Sequence, residues 1–269
     1  QLERALKQRP VDLIVAPAGL ATTALLRTDI PIIHVNDRCL HGAVGYHRIL
    51  RDLFVFSLKD GLSLERAALR NAALTVYASD WASEAARSIG PEVAARIMTI
   101  PFGANLEEPP AAPAQRDSPG EPWTLLFLGV NWEDKGGPVA YAALQELKQR
   151  GHRVRLVVAG CEPPASCDDP GLQREGFLNK NDPAQRKRLE ELLRSADALV
   201  LPTRFEAYGI VCCEAAAYGL PVFATRTGGI PTIVQHDMTG LLMDPDADGV
   251  AYADAIASVL GDPVRWSAM

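Results

Sequence analysis

Short runs of consecutive apolar residues, many of them β-branched, recur along the chain and alternate with segments of helical periodicity. The runs span 11–16, 30–36, 74–78, 97–101, 123–128, 154–159, 198–201 and 222–225. Because these runs are continuous rather than alternating, they are typical of strands buried on both faces of a parallel sheet. Strands that alternate with helices predict an α/β protein with doubly wound parallel sheets.

Two of the intervening segments carry helix boundary signals. Pro138 suits the first turn of one helix, and Gly151 follows its end. Asp182 and Pro183 open the other, in which an aspartate side chain can cap the first turn. Both segments have an apolar stripe at helical spacing, so each is predicted to pack one face on a sheet.

A proline-rich segment, NLEEPPAAPAQRDSPGEP at 105–122, has no apolar period and predicts an extended linker. It separates a first domain, 1–104, from a second Rossmann-like domain, 123–269. The first domain holds fewer predicted strands, so we expect it to be an incomplete Rossmann-like domain. Residue 1 is Gln rather than Met, which favours a piece of a longer protein.

The net charge, the hydropathy and the cysteines limit the partners and the setting that the chain is expected to have. The net charge of −6 argues against nucleic acid as the main partner. The sequence has no apolar stretch long enough to span a bilayer. Two of the five cysteines, Cys212 and Cys213, are adjacent, which favours a reduced, cytoplasmic protein. The sequence does not decide peripheral membrane association.

Three loops that lead from a predicted strand into a helix carry unusual residues. Because ligands bind beyond the carboxyl ends of parallel strands, these loops are candidate binding elements. The first runs from Gly129 through Lys135 and Gly136, and the third contains a diglycine at 228–229 before a proline. Glycines allow close backbone approach, and a helix N-terminus favours an anion. A glycine-capped turn with an exposed lysine is the alternative reading of the first loop.

The second loop carries two acidic residues eight positions apart. Glu206 follows the strand, and Glu214 lies about a turn into the helix that Gly209 opens. Glu214 is the one polar side chain between Ile210 and Ala217, so it is predicted to be buried and to need hydrogen-bond partners. Two ribose hydroxyls would serve, as would a neighbouring backbone group or arginine. Together the three loops suit a nucleotide diphosphate that carries a sugar.

The order of these motifs resembles the retaining GT-B glycosyltransferases of family four. The resemblance rests on a glycine followed by KGG in the first loop, on FEAYGIVCCEAAAYGLPVFAT, and on TGGIPTIVQHDMTGLL. Earlier in the chain, ALTVYASDWASEAARSIG and IMTIPFGAN are similar to the last strands of that family's N-terminal domain. The resemblance implies a GT-B type α/β fold with two Rossmann-like domains, the first of them incomplete in this chain.

The resemblance also assigns roles to residues. It implies that Lys135, with Gly129 and Gly136, holds the donor diphosphate and that Glu214 holds the ribose. It implies that Glu206 addresses the donor sugar, together with its neighbours Tyr208, Gly209, Ile210 and Val211. Two positions depart from the family pattern: Val130 stands where an arginine is common, and Thr232 where a glutamate is common. Arg204 or helix amides are candidates to compensate for the first departure.

A predicted catalytic residue lies in the first domain. The segment IPIIHVNDRCLHG resembles the family strand whose end carries a catalytic-centre histidine, and that place falls on Asp37. Its carboxylate could orient the acceptor hydroxyl or stabilise positive charge at the anomeric carbon. His34 is read instead as a buried strand residue.

No metal or other cofactor is predicted, because the protein itself supplies charge to the leaving diphosphate. Asp244, Asp246 and Asp248 are spaced like metal ligands, but they directly precede a predicted helix, where acidic residues cap the first turn.

The predicted function is therefore transfer of a sugar, with retention, from a nucleotide-diphosphate donor to an acceptor. The sequence leaves that acceptor open among glycans, lipids and small molecules. Two alternatives stay open: a nucleotide-sugar-binding fragment without turnover, and a nucleotide-sugar epimerase of the same fold. A dehydrogenase is disfavoured because no G-x-G-x-x-G motif follows the first strand.

Overall fold

A computed structural model describes residues 2–46, 50, 54–108, 110 and 122–269. The chain divides into two compact units, Gln1–Phe102 and Gly103–Met269. Most of the predicted linker, at 109 and 111–121, lies outside the described residues. Of its described part, Leu106 packs against the core of the second unit, and Glu107 forms an ion pair with Arg186.

The first unit contains a 4-stranded parallel sheet in the order β1-β2-β3-β4. Its strands are β1 (Ile14–Pro17), β2 (Ile32–Asn36), β3 (Leu74–Tyr77) and β4 (Ile97–Thr99). Its helices are α1 (Leu2–Gln8), α2 (Leu20–Thr23), α3 (Leu40–Ala43), α4 (Val55–Asn71), α5 (Asp80–Arg87) and α6 (Pro91–Ala94).

The second unit contains a 6-stranded sheet in the order β10-β9-β8-β5-β6-β7, with every adjacent pair parallel. Its strands are β5 (Trp123–Leu128), β6 (Val154–Ala159), β7 (Leu172–Gly176), β8 (Ala198–Leu201), β9 (Val222–Thr225) and β10 (Gly240–Met243). Its helices are α7 (Gly137–Gln149), α8 (Pro183–Ser195), α9 (Ile210–Ala217), α10 (Ile230–Ile233), α11 (Gly249–Leu260) and α12 (Pro263–Ser267).

This strand order is the one found in doubly wound dinucleotide-binding folds, and it positions the site. The chain runs outward from β5 through β6 to β7, and then returns to place β8 on the other side of β5. The order therefore reverses between β5 and β8. At such a switch point the loops that follow the two strands diverge and leave a crevice at their carboxyl ends.

Both outer strands of this sheet were missed by the sequence analysis. Strand β7 (LQREG) buries one leucine and leaves the following residues exposed or half-buried, so it lacks the apolar run of a central strand. Strand β10 (GLLM) is short and follows directly on a turn. The exposed residues of β7 interrupt the apolar run that identifies a central strand, whereas β10 is mostly buried and offers only three apolar residues after its glycine.

The predicted helix boundaries are confirmed. The Asp182 carboxylate accepts hydrogen bonds from the backbone N–H groups of Ala184 and Gln185 and caps α8. The Asp248 carboxylate accepts from the N–H of Ala251 and caps α11. The acidic run at 244–248 thus ends in a helix cap, as its position before the helix predicted.

Gly136 allows the loop after β5 to pass against the loop after β8. Its φ is +78°, and a Cβ atom there would lie 1.8 Å from the carbonyl oxygen of Pro202. Gly151, at the end of α7, has a similar φ of +86° but has nothing within 4 Å of its Cβ position. The two glycines therefore share the left-handed conformation and differ in steric contact.

Substitution of these two glycines separates conformational strain from steric overlap. Gly151→Ala is expected to lower the free energy of unfolding by about 1 kcal/mol, the cost of a left-handed alanine. Gly136→Ala adds the collision with Pro202 and is expected to cost at least about 3 kcal/mol. Urea denaturation of both variants measures the difference, and equal losses would contradict the close approach.

The buried histidine of β2 makes the stability of the first unit depend on pH. His34 is fully buried, its Nε2 lies 2.7 Å from the Thr23 hydroxyl, and burial lowers its pKa. Below about pH 6.5 the unfolded chain therefore takes up a proton that the folded unit excludes. The free energy of unfolding is expected to fall as the pH drops through that value.

His34→Gln keeps an amide donor for Thr23 and removes the titrating group. Hydrogen exchange of the β2 amides at pH 7, 6 and 5 reports on this unit alone. Protection should fall more steeply with acid in the wild type than in the variant. An identical fall in both proteins would contradict the role of His34.

Candidate functional site

The first and second predicted loops meet at the switch point of the second sheet. Lys135 follows β5 and Glu206 follows β8, and the Lys135 Nζ lies 2.6 Å from a Glu206 carboxylate oxygen. Both side chains are largely buried, so this ion pair is screened less by water than a surface pair. The contact fixes the lysine ammonium at the base of the crevice.

Helix α9 begins beside this pair. Its N-cap, Gly209, has a φ of +97°, and a Cβ atom there would lie 3.2 Å from the Ile230 side chain and 3.4 Å from that of Glu206. The glycine therefore allows α10 to pack directly behind the start of α9. Because the first N–H groups of a helix lack intrahelical acceptors, the N–H groups of Ile210 and Val211 are candidate donors to an anion.

Glu214, in α9, is 1% exposed and has two differently occupied carboxylate oxygens. Lys180, in the loop between β7 and α8, donates a hydrogen bond from its Nζ to Oε1. Oε2 is buried and has no hydrogen-bond partner among the described residues. An unpaired buried carboxylate oxygen is costly, so this atom is a strong candidate to accept a hydrogen bond from a ligand.

Both ion pairs border one cavity of about 260 Å³. It is lined by Leu128, Gly129, Val130, Lys135, Ala159, Gly160, Phe177, Leu178, Lys180, Leu189, Glu206, Gly209, Ile210, Val211 and Glu214. Lys135 and Glu214 therefore line the same crevice. Apolar walls with a few convergent charged groups are typical of a small-molecule site.

Glycine makes the floor of this cavity possible. Gly160, at the end of β6, has a φ of +99°, and a Cβ atom there would lie 2.6 Å from the carbonyl oxygen of Gly129. A Cβ atom at Gly129 would in turn lie 2.8 Å from the Lys135 side chain. The backbone segments after β5 and β6 can therefore lie close together at the cavity wall.

The third predicted loop does not line the cavity. It follows β9, which lies beyond β8 on the side away from β5, whereas the cavity extends the other way toward β6 and β7. Its contribution is indirect, since Ile230 packs behind Gly209. The loops after β6 and β7 take the place that the sequence analysis gave to it.

Two predicted ligand-binding residues also lie outside the cavity lining. Gly136 packs against Pro202 instead. Tyr208 is 4% exposed, and its hydroxyl lies 3.6 Å from the Cys213 sulfur. Arg204, a candidate to replace the arginine missing at Val130, instead donates to the carbonyl of Pro245. Val130 lines the cavity and is exposed.

Lys180 is the functional candidate that the sequence analysis missed. It lies just beyond β7 and before the Asp182 cap of α8, in a strand-to-helix loop at the same edge of the sheet as the other cavity residues. That position would have singled it out, but β7 has no apolar run and was not predicted as a strand.

Asp37 lies in the first unit, exposed, directly after β2. The loop that follows it is anchored by Glu65, a buried residue of α4. The Glu65 carboxylate accepts hydrogen bonds from the N–H groups of Leu40 at 2.6 Å and His41 at 2.9 Å. The start of α3 is therefore held against α4. The role of Asp37 stays a prediction.

The two cysteines of α9 are poor candidates for catalytic nucleophiles. The five cysteines are present as thiols. Burial raises the pKa of Cys212 and of Cys213, so both hold their protons at neutral pH and are poor nucleophiles.

Among the described residues, no group of three or more His, Cys, Asp or Glu side chains is arranged to hold a metal ion. In the same part of the chain, every helix is too short or too polar to cross a bilayer.

Residues 110–268, more than half of the chain, match the family of glycosyl transferases group 1. The chain belongs to this family of glycosyltransferases. Curated relatives include a D-inositol 3-phosphate glycosyltransferase of Xylanimonas cellulosilytica, 34% identical over 188 residues. That alignment covers 63% of this chain and 44% of the relative. A protein of the same name from Kineococcus radiotolerans is 29% identical over 200 residues, or 65% of this chain and 46% of the relative.

Several solved structures share the fold. The Anabaena protein HepE, in complex with UDP, has a TM-score of 0.71 at 17% identity, and the match covers 99% of this chain and 73% of that one. The lipopolysaccharide outer core galactosyltransferase WaaB has a TM-score of 0.69 at 14% identity, covering 99% and 72%. The predicted GT-B type α/β fold is confirmed. The chain spans about half the length of the curated relatives it matches.

Proposed function

We propose that the chain binds a nucleotide-diphosphate sugar in the cavity at the switch point and transfers the sugar to an acceptor with retention. The observation that carries this proposal is the convergence of Lys135 and Glu214 on one crevice. The structures of HepE, a structural neighbour solved in complex with UDP and with UDP-glucose, support it. UDP is therefore the first nucleotide to test.

The cavity offers a complementary partner for each part of such a donor. The diphosphate is held by the Lys135 ammonium and by the N–H groups of Ile210 and Val211 at the start of α9. The ribose donates a hydroxyl proton to the unpartnered Oε2 of Glu214. The apolar walls at Phe177 and Leu178 remain for the base.

The same groups would accelerate transfer. As the bond between sugar and phosphate breaks, negative charge grows on the diphosphate, and the fixed ammonium of Lys135 stabilises it. Glu206 holds that ammonium in place and lies where it can also accept from a sugar hydroxyl. The proposed reaction needs no divalent metal, because the Lys135 ammonium and the N–H groups at the start of α9 would contact the diphosphate directly.

The acceptor side is assigned to Asp37. Its exposed carboxylate, held at the end of β2 ahead of the anchored α3, can orient an acceptor hydroxyl. The name of the curated relatives makes D-inositol 3-phosphate the first acceptor to test.

Donor binding is tested by thermal unfolding with UDP, GDP and ADP. Saturation at about 100 times the dissociation constant contributes about 2.7 kcal/mol, which should raise the Tm by several degrees for at least one nucleotide. Lys135→Ala and Glu214→Ala are each expected to abolish the shift. Lys148→Ala is the matched control, because Lys148 forms an ion pair with Asp169 and does not line the cavity. No shift with any nucleotide would remove the donor-site assignment.

Transfer is tested with UDP-glucose and D-inositol 3-phosphate, with other acceptors assayed in parallel, in the presence of EDTA. Product is expected in EDTA, and Asp37→Asn is expected to lower kcat at least about 100-fold while the UDP-induced Tm shift stays unchanged. A strict manganese requirement would contradict the metal-free reaction. UDP binding without transfer would leave a binding role, and conversion of UDP-glucose without acceptor would indicate an epimerase.

A further inference from the structure

We propose that Lys180 is a positioning residue for the donor: it occupies one oxygen of Glu214 and thereby presents the other, in a fixed orientation, to a ribose hydroxyl. This inference rests on the proposed function, and it adds a residue that no sequence motif singles out. It also changes the expected binding mode, because the lysine occupies Oε1 and leaves Oε2, unpartnered among the described residues, as the oxygen for the ribose.

The two oxygens of Glu214 are unequal in the structure. Oε1 accepts from the Lys180 ammonium, whereas Oε2 is buried and unpartnered among the described residues. The carboxylate belongs to a residue that lines the donor cavity. A ligand hydroxyl at Oε2 would satisfy the remaining acceptor without displacing the lysine.

Lys180 supplies the cation that pairs with this buried carboxylate. A carboxylate that is 1% exposed pays a large desolvation cost unless a cation or several donors compensate for it. Other ionisable groups also act on it. Facing it across the cavity are Lys135 and Glu206, and on or next to its own helix are Cys213 and Tyr218.

The charges of these neighbours leave Lys180 as the compensating cation. Lys135 and Glu206 are paired with each other, so their opposite charges largely cancel at the distance of Glu214. Burial raises the pKa of both Cys213 and Tyr218, so neither carries charge at neutral pH. Without this lysine, the Glu214 carboxylate would lose the ion pair that fixes its orientation and would bind a ribose hydroxyl more weakly.

The lysine is also placed to reach the ligand. Its side chain is 34% exposed while its partner is buried, and it lines the donor cavity directly. An ammonium has three N–H donors, and the bond to Oε1 uses one of them. The remaining donors give Lys180 a direct as well as an indirect means of fixing the nucleoside.

The experiment measures UDP, 2′-deoxy-UDP and 3′-deoxy-UDP binding by calorimetry to the wild type, Lys180→Met and Lys180→Arg. Lys187→Met is the matched control, since Lys187 is exposed on α8 and does not line the cavity. Lys180→Met is expected to weaken UDP binding about tenfold, the effect of one charge-assisted hydrogen bond. Lys180→Arg should restore most of it, and Lys187→Met should bind as the wild type does.

The deoxy nucleotides separate positioning from simple attraction of the diphosphate. If Lys180 acts through Glu214, its removal should cost little for the analogue that lacks the hydroxyl bound at Oε2, and about tenfold for the other. Equal losses for all three nucleotides would show a general charge attraction and overturn the inference. Tighter UDP binding by Lys180→Met would overturn it too, by showing that the lysine competes with the ribose.

Rescue of UDP binding by Lys180→Arg supplies a readout that loss of structure would not give, and failure of that rescue would overturn the inference. Thermal unfolding checks that each variant is folded. Failure of UDP to bind the wild type would instead remove the proposed function, so the two failures are distinguishable.

Discussion

The approach of two backbone segments, the loops after β5 and β8, is the constraint on which the site depends. There is no space for a side chain at Gly136, where a Cβ atom would meet the Pro202 carbonyl at 1.8 Å. That contact allows Lys135 and Glu206, which are far apart in the sequence, to form an ion pair at 2.6 Å. The strand order brings the two loops to one crevice, and the glycine allows them to touch.

Two ion pairs lie on different parts of the cavity wall. The pair of Lys135 and Glu206 lies beside the start of α9, where helix N–H groups favour phosphate. The pair of Lys180 and Glu214 lies on the part of the wall that the loop after β7 provides. In each pair, a lysine from a loop on one side of the crevice contacts a glutamate from the segment after β8. The glutamates therefore face the cavity with fixed orientations before any ligand arrives.

Sequence reasoning was sufficient for the central architecture and for the part of the cavity formed by the segments after β5 and β8. The continuous apolar runs identified β5, β6, β8 and β9, because strands covered on both faces need such runs. The isolated acid of an apolar helix identified Glu214 as a buried carboxylate that needs hydrogen-bond partners. Strand β7 has polar residues after its first leucine and carries no apolar run, so the loop with Lys180 and its ion pair were not foreseen. The assignment of the third loop to the cavity was wrong, since it needed the lateral order of strands, which a pattern along the chain does not encode.

The pairing of these side chains has a consequence for how a ligand reaches the site. Among the described residues that line the cavity, the charged side chains are two lysines and two glutamates, so their formal charges cancel. The whole chain carries a net charge of −6, which repels rather than attracts a polyanionic nucleotide at long range. Capture of the proposed donor would therefore rely on short-range hydrogen bonds formed after random encounter, and added salt should change its association rate constant little or raise it slightly. Selection at such a site would come from fit rather than from electrostatic steering.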